Sequence, residues 1–286
     1  MPLNSNIVGQ VTDAFQHEVD ARWTMAYAAG LGDCLPVYMD TAAGETIAVH
    51  PLFPVCLEWP AILDARRLPG TQDLSAAENA RNVHALHDVH LYQPVVPGRS
   101  YTTTGTVVGL ESRKPGAFLV IRLDTLDEAG QLVCRTYNGT IYRGVEIDGD
   151  GVWLEHLPAA PDTNDVDWTE SHTIDIAPNI AHVYTECARI WNPIHTDRTV
   201  ALAAGLPDII LHGTASLALA ISRIILERLG GDPRRINRFG GRFGGMVRMP
   251  SSVRLSLGAA GGEYTAFRLH TEGAPGVLRG GYVFHS

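Results

Sequence analysis

The chain has 286 residues, of which 45% are hydrophobic and 19% charged, so it is long enough for two domains with buried cores. This composition excludes disorder, collagen-like repeats and coiled coil as the whole structure. The formal net charge of −9 makes general nucleic-acid binding a poor candidate. All basic residues except Lys114 are arginine, which fits either a GC-rich genome or planar, bidentate contacts with anions.

The amino terminus and the cysteines indicate a reduced, intracellular protein. The first residues, MPLNSNIVGQ, have neither the basic nor the apolar stretch of a signal peptide. No run of 18 apolar residues predicts a transmembrane helix. The cysteines lie at long spacings without a CxxC pair, so we expect neither disulfides nor a metal site. We therefore expect a cytoplasmic protein with no membrane and no nucleic-acid partner.

In the first half, a helical period is followed by strand-like stretches. The period predicts a helix that ends at Gly30 and carries the apolar residues Val19, Trp23, Ala26 and Tyr27 on one stripe. An apolar segment with prolines follows over residues 50–68. Alternation between turn signals then predicts strands over residues 82–92, 101–110, 117–126 and 132–143.

A composition shift divides the chain near its middle. Residues 148–168 read DGDGVWLEHLPAAPDTNDVDW, which is rich in Asp, Pro and Gly and has almost no periodicity. Such a stretch is typical of a linker. We therefore predict an N-terminal domain over residues 1–147 and a C-terminal domain over residues 169–286.

The second half repeats the order of the first. We predict a helix over about 178–190, a short helix capped by Asp197 and ending at Gly205, and a long helix over about 213–229. Ala and Leu on nearly every face of the long helix indicate that it is buried. Strands are predicted over residues 251–258, 263–271 and 276–285. Helices followed by strands in each half favour an α+β fold, with an antiparallel sheet packed on a buried helix.

The densest polar cluster is the segment WNPIHTD at residues 191–197, between two predicted helices. Asn192 and His195 lie on a turn fixed by proline, and a histidine can exchange protons near neutral pH. Downstream, His212 precedes the backbone N–H groups of Gly213 and Thr214, which open the long helix and could stabilise an oxyanion. A loop histidine packed beside a helix cap is the alternative interpretation.

These residues carry a resemblance to a known family. The segments IWNPIHTD, AAGL and ILHG over about 184–220 resemble the MaoC-like (R)-specific enoyl-CoA hydratases. Arg242-Phe243 and Pro250 are similar to a later strand of that family. In the first half, TMAYAAGLG and LYQP resemble the degenerate half of its double hot-dog members, which the peroxisomal multifunctional enzymes contain.

The resemblance implies a double hot-dog fold, in which two units each wrap an antiparallel sheet around a long helix. It also implies reversible addition of water to a 2-enoyl-CoA, giving a 3-hydroxyacyl-CoA. The family's His, Asn and oxyanion Gly correspond to His195, Asn192 and Gly213. The family's catalytic Asp corresponds to Ile190, so one half of the acid/base pair is missing.

Three hypotheses address the missing carboxylate. Glu186, one helical turn before Ile190, could take its place. His195 could act alone on an activated substrate. Alternatively, the site no longer hydrates, and the protein is a non-catalytic acyl-CoA-binding or partner subunit, or a hot-dog thioesterase. Asp197 is expected to cap the short helix rather than act in catalysis.

Arginines cluster between residues 234 and 254 and suit the phosphates of coenzyme A. Among them we expect Arg242 and Arg238 to bind the coenzyme A part of the substrate, together with His212 and Thr214. The tandem RFGGRFGG over residues 238–245 lacks the ending of a phosphate-binding loop, and its glycines indicate a bulged strand.

The histidines of the first half are given structural roles. His84, His87 and His90 recur every three residues in a predicted strand, a spacing that does not place them on one face for a metal. His50 occupies the place that His212 has in the second half and is interpreted as a relic. The first half is then expected to shape the acyl pocket. We predict a homodimeric hydratase/dehydratase with no metal and no cofactor other than coenzyme A as part of the substrate.

Overall fold

The computed structural model describes residues 2–260, 264–271 and 274–286. Its α-helices are α1 (Ala21–Gly30), α2 (Pro36–Met39), α3 (Pro54–Asp64), α4 (Ala76–Ala80), α5 (Ile180–Ala188), α6 (Arg198–Ala203) and α7 (Gly213–Arg228). Short 3₁₀ turns occupy Ser5–Ile7, Ala65–Arg67, Pro193–His195 and Pro233–Arg235.

The strands of the first half are β1 (Leu3–Asn4), β2 (Phe15–Val19), β3 (Asn82–Leu91), β4 (Arg99–Arg113), β5 (Gly116–Asp127) and β6 (Leu132–Arg143). Two short strands follow, β7 (Ile147–Asp148) and β8 (Val152–Trp153). Those of the second half are β9 (Asp167–Ile176), β10 (Ile236–Phe243), β11 (Ser251–Ala260), β12 (Tyr264–Thr271) and β13 (Ala274–His285).

One antiparallel sheet runs through both halves. Its strands follow the order β2-β4-β5-β6-β3-β10-β13-β12-β11-β9, with β8 paired to β4. The halves meet where β3 pairs with β10, from Arg238 opposite His90 to Arg242 opposite Leu86. Because β3 and β10 are paired directly, the strands of the two halves form one continuous sheet.

The long helix α7 forms the centre of the largest core. Its buried residues include Leu217, Ile221 and Ile225, none of which is exposed. The same apolar cluster contains Phe53 from the first half and Phe267 from the second. The Ala- and Leu-rich sequence thus places α7 where the sheet can cover it, which is the arrangement of a hot-dog unit.

Most of the predicted elements are confirmed. The strands β3 to β6 and β11 to β13, the helices α5 and α7, and the Asp197 cap of α6 lie where the patterns indicated. Val19 belongs to β2 rather than to the first helix, which begins at Ala21 after the Asp20 cap. Residue 263 of the predicted strand 263–271 lies outside the described residues.

The segment 148–168 is held against the first half of the sheet. Trp153 of β8 lies opposite Gly109 of β4, and the Leu154 N–H donates to the Val108 carbonyl at 2.8 Å. Its last two residues already belong to β9. Division of the chain into two domains at this segment stays a prediction. No helix among the described residues is long and apolar enough to cross a membrane.

Candidate active site

The loop between α5 and α6 places Asn192 and His195. The helix ends at Ala188, and the Ile190 N–H donates to the Thr185 carbonyl at 3.1 Å. Asn192 then caps the 3₁₀ turn Pro193–His195, in which the His195 N–H donates to the Asn192 carbonyl at 3.1 Å. A proline at the start of the turn fixes its entry, so both side chains are set by a short, rigid segment.

The imidazole of His195 is held in one tautomer. Its Nδ1 lies 2.8 Å from the Ile210 carbonyl oxygen. Because a carbonyl can only accept, Nδ1 carries the proton and Nε2 keeps its lone pair. Burial lowers the pKa of His195 to about 4, although the hydrogen bond to Ile210 opposes this shift. The ring is therefore a neutral base at physiological pH.

The His212 ring stacks on one face of the His195 ring. The two rings stack with their centroids 3.7 Å apart and their planes inclined by 26°. His212 Nε2 lies 3.2 Å from the Thr185 hydroxyl. Burial, followed by the charge of a protonated His195, lowers the pKa of His212 well below its usual value. Two stacked imidazoles cannot both be charged in a buried site, which keeps the pair neutral.

The first turn of α7 faces the same site. The N–H groups of Gly213 and Thr214 open the helix and have no acceptor within it, so they are free donors at the positive end of the helix dipole. The Thr214 hydroxyl accepts a hydrogen bond from Tyr184 at 3.1 Å, which orients this turn. A β-carbon at Gly213 would stand 3.3 Å from the Phe243 ring, so the glycine lets this ring close over the helix start.

A cavity of about 410 Å³ connects these groups with the first half of the chain. From the second half it is lined by Ile190, Asn192, Ile194, His195, Ala204, Leu206, Ile210, Leu211, His212, Gly213, Thr214, Ser216, Phe243, Gly244, Gly245, Met246, Val247 and Val277. From the first half it is lined by Val55, Trp59, Ile62, Arg66, Ala80, Asn82, Val83, His84, Asn138, Thr140 and Arg143. Within the described parts of the chain, its wall includes no Asp and no Glu.

The structure places Glu186 outside the cavity. Glu186 is on the exposed side of α5 and does not line the cavity, whereas Ile190 is 3% exposed and does. The two residues are four apart, but the helix ends between them and Arg189 turns the chain into the left-handed conformation. The helical spacing assumed in the sequence therefore does not hold across this step.

Arg238 and Arg242 also lie outside the cavity wall. The Arg238 guanidinium forms two hydrogen bonds to the Asp88 carboxylate, at 3.0 and 2.8 Å, and a third to the Ala159 carbonyl. The bonds to Asp88 join β10 to β3, and the three bonds together use three of the five N–H groups of Arg238. Arg242 is exposed, and neither arginine lines the cavity. His212 and Thr214, predicted with them, do line it.

Seven polar residues of the cavity wall were not predicted as site residues, and they are Arg66, Asn82, His84, Asn138, Thr140, Arg143 and Ser216. Arg66 and Arg143 form no ion pair with any described carboxylate, and the Arg66 guanidinium lies 5.8 Å from the Trp59 ring. His84 and Asn138 come from the neighbouring strands β3 and β6. The sequence VHALHDVH did draw attention to His84, but histidines spaced three apart in a strand are not expected on one face of the sheet. A β-bulge between His84 and Leu86 changes which side His84 faces.

No group of three or more His, Cys, Asp or Glu side chains in the described ranges could hold a metal ion. His84 and His87 are close, with ring centroids 5.1 Å apart, but His90 lies beside Asp88 instead. The polar chemistry of the cavity thus rests on imidazoles, amides, hydroxyls and guanidinium groups.

Each half of the chain matches a different model of a known protein family. Residues 164–271 match the MaoC like domain, and residues 6–136 match the dehydratase domain region described as FAS1-like. The enoyl-CoA hydratase 2 of Arabidopsis thaliana peroxisomes is 24% identical over 237 residues, which is 76% of this chain and 74% of that protein. The 3-hydroxyacyl-thioester dehydratase Y of Mycobacterium tuberculosis is 25% identical, covering 85% of this chain and 83% of its own.

Solved structures show the same architecture. A MaoC-like dehydratase from Phytophthora capsici superposes with a TM-score of 0.86 at 19% identity, covering 99% of this chain and 97% of its own. A protein of Mycobacterium tuberculosis with a double hotdog fold superposes with a TM-score of 0.58 at 15% identity, covering 97% and 95%. At these identities the likeness establishes the fold alone.

The continuous sheet, the buried α7 and the cavity between the halves define a protein of the α+β class with a double hot-dog fold. The predicted fold is confirmed. The second half of the chain contains a MaoC like domain and the first half a FAS1-like dehydratase region, in agreement with the family resemblance of its motifs.

Proposed function

We propose that the protein catalyses the reversible addition of water to a 2-enoyl thioester of coenzyme A, giving a 3-hydroxyacyl thioester. The observation that carries this proposal is the neutral His195, whose free Nε2 belongs to a cavity that also contains the start of α7. A base beside a helix N-terminus is what addition to a conjugated thioester requires. Relatives named as an enoyl-CoA hydratase and a 3-hydroxyacyl-thioester dehydratase support the same class of reaction.

The thioester carbonyl would bind at the start of α7. When water adds at C3, an electron pair moves onto the carbonyl oxygen and gives an enolate. The N–H groups of Gly213 and Thr214, with the positive end of the helix dipole, would stabilise that negative charge. Because these donors are fixed by the helix, they need no rearrangement when the charge develops.

His195 would transfer the proton. Its Nε2 takes a hydrogen from water while the water oxygen bonds to C3, and it then returns the same proton to C2 of the enolate. Nδ1 keeps its proton and donates it in the hydrogen bond to the Ile210 carbonyl throughout, which keeps the ring oriented. Asn192 would donate from its amide to the second lone pair of the water. Dehydration is the same sequence in reverse, so no cofactor and no metal is required.

Arg66 and Arg143 would hold the phosphates of coenzyme A. They are the guanidinium groups of the cavity wall, and neither has a carboxylate partner among the described residues. Arginine binds phosphate through two parallel hydrogen bonds, which lysine cannot match. This proposal moves the anion site from the cluster at residues 234–254 to the first half.

Loss of the enoyl absorbance on addition of enoyl-CoA esters of several chain lengths tests the reaction. We expect turnover by the wild type, and a fall of kcat by about 10²- to 10⁴-fold for His195→Ala, because a positioned acid/base group contributes this much. His156→Ala, at an exposed histidine, should retain full activity. Addition of a chelator should leave kcat unchanged.

Two other outcomes would contradict the hydratase proposal. A wild type that binds acyl-CoA but is inactive would favour an acyl-CoA-binding subunit, and release of free thiol would favour a thioesterase.

Arg66→Gln tests the phosphate site through KM. We expect KM for an enoyl-CoA to rise about tenfold, since loss of a charge-assisted contact costs ~1.4 kcal/mol or more. KM for the matching N-acetylcysteamine thioester, which lacks phosphates, should stay unchanged. Arg67→Gln is the matched control, because Arg67 pairs with Asp64 and is 75% exposed. Equal effects on both substrates would place the role of Arg66 elsewhere in the substrate.

Two predictions concern the whole protein rather than its site. We propose a homodimer, which light scattering of the purified chain would test against a monomer mass of 30.9 kDa. The cytoplasmic location stays a prediction, and two relatives are named as peroxisomal. Fractionation of cells that express the native protein tests it.

A further inference from the structure

The part of the cavity wall that comes from the first half of the chain carries an imidazole, that of His84. His84 extends from β3, and Asn138 and Thr140 accompany it from β6. The described lining residues include no carboxylate, and Ile190 fills the position where the family resemblance implies one. Water bound beside His195 therefore needs another acceptor for its second hydrogen.

The His84 ring is fixed in a single tautomer. Its Nε2 lies 3.0 Å from the Leu86 carbonyl oxygen, and the Asn138 amide lies 3.2 Å from the same nitrogen. A carbonyl can only accept, so the Leu86 contact places the proton on Nε2 and the lone pair on Nδ1, and the Asn138 amide then turns its oxygen rather than its nitrogen toward Nε2. Nδ1 forms no hydrogen bond with any described residue. His84 and His195 thus share one design, in which a backbone carbonyl fixes one nitrogen and leaves the other free for the cavity.

A chain of contacts connects His84 with the start of α7. The His84 and Phe243 rings have their centroids 4.6 Å apart. The edge of the Phe243 ring lies 3.3 Å from the position of a β-carbon on Gly213. One aromatic ring therefore separates His84 from the N–H groups proposed to bind the thioester oxygen. His84, His195 and the start of α7 all line the same cavity.

His87 holds the His84 ring from behind. The rings meet edge to face with centroids 5.1 Å apart, and His87 is fully buried. With Phe243 and Asn138 on its other sides, the His84 ring has little freedom to turn. A ring that is fixed before substrate binds loses little entropy when it accepts a hydrogen bond.

We propose that His84 Nδ1 accepts a hydrogen bond from the second hydrogen of the attacking water. It thereby takes the place of the carboxylate that is missing at position 190, a role that rests on the proposed hydratase function. The water then donates one hydrogen to each imidazole, and its lone pair is directed at C3. The oxygen–C3 bond forms, one O–H bond breaks toward His195 Nε2, and that proton returns to C2. His84 keeps its hydrogen bond to the new hydroxyl and exchanges no proton.

Two substitutions separate the accepting atom from the packing of the ring. His84→Asn keeps an acceptor near the Nδ1 position, whereas His84→Leu keeps volume and removes every polar atom. We expect kcat to fall about 100-fold in His84→Leu with KM within threefold, and less than tenfold in His84→Asn. His90→Gln, on the same strand but outside the cavity wall, is the matched control and should retain wild-type kcat.

Restoring a carboxylate gives an independent test. Ile190→Asp in the His84→Leu background should recover at least tenfold in kcat, because the new carboxylate accepts the same hydrogen. Equal losses in His84→Asn and His84→Leu, in folded protein, would overturn the role of His84, and so would wild-type kcat in His84→Leu. If the wild type hydrates no enoyl thioester, the proposed function itself fails, which is a different result from either of these.

Discussion

Arg189 carries a backbone conformation that arginine rarely adopts. It ends α5 with φ +57° and ψ +33°, in the left-handed region, at the position where the family resemblance has glycine. Its guanidinium carbon lies 3.8 Å from the centre of the Trp23 ring, and Trp23 Nε1 donates to the Cys187 carbonyl at 3.1 Å. The cation–π contact thus offsets backbone strain of about 1–2 kcal/mol.

Arg189→Gly and Arg189→Ala remove the same contact with Trp23 but differ in backbone strain. The left-handed conformation costs alanine a steric penalty that glycine escapes. We expect the glycine variant to be more stable than the alanine variant by about 1 kcal/mol, and urea unfolding of the two measures the difference. Coincident unfolding curves would show that the left-handed turn relaxes when the ring contact is lost.

At the scale of elements, the sequence predicts what local periodicity determines. The strand β4 alternates buried and less buried residues along most of its length, so its pattern could be recognised. The strand β9 could not, because most of its residues are polar and partly exposed at the edge of the sheet. Ile174 and Ile176 do pack on the core, but polar residues such as Glu170 and His172 interrupt the inward face, so the alternation of apolar and polar residues is too weak to detect.

The tandem RFGG sequence shows how an element can be identified correctly and its role missed. It forms β10, with the register shifts expected of a bulged strand. A β-carbon on Gly240 would stand 2.6 Å from the His87 carbonyl oxygen, so glycine is required where β10 approaches β3. The arginine of the same motif, Arg238, bonds to Asp88 on β3. The motif therefore joins the two halves of the sheet, and the periodicity of a sequence cannot show which strand is the partner.

At the scale of the whole molecule, the cavity combines residues that lie far apart in the chain. The segment from Asn192 to Gly213 was predicted because its motif is local and belongs to a known family. Arg66 and His84 reach the same cavity only because β3 pairs with β10 and α3 packs on the sheet. Half of the site therefore depends on tertiary pairing, which one sequence does not specify.

Buried histidines make the whole fold sensitive to acid. Burial lowers the pKa of His50 to about 3 and the pKa values of His84 and His195 to about 4. Burial also lowers the pKa values of His87 and His212 well below 6.5. Glu58 opposes them, because burial raises its pKa to about 7 and the folded chain holds that proton.

The unfolded chain therefore binds more protons than the folded chain once the pH drops below about 6.5. The free energy of unfolding decreases as the pH is lowered further. Each such histidine contributes about 1.4 kcal/mol per pH unit between its two pKa values, and protonation of Glu58 offsets one of them. We expect the urea midpoint to fall steeply between pH 6.5 and 4.5, while kcat at pH values where the protein stays folded shows no loss centred at 6.5. His50→Gln should flatten the stability profile and His156→Ala should not, and a midpoint independent of pH over this range would contradict the burial of neutral histidines.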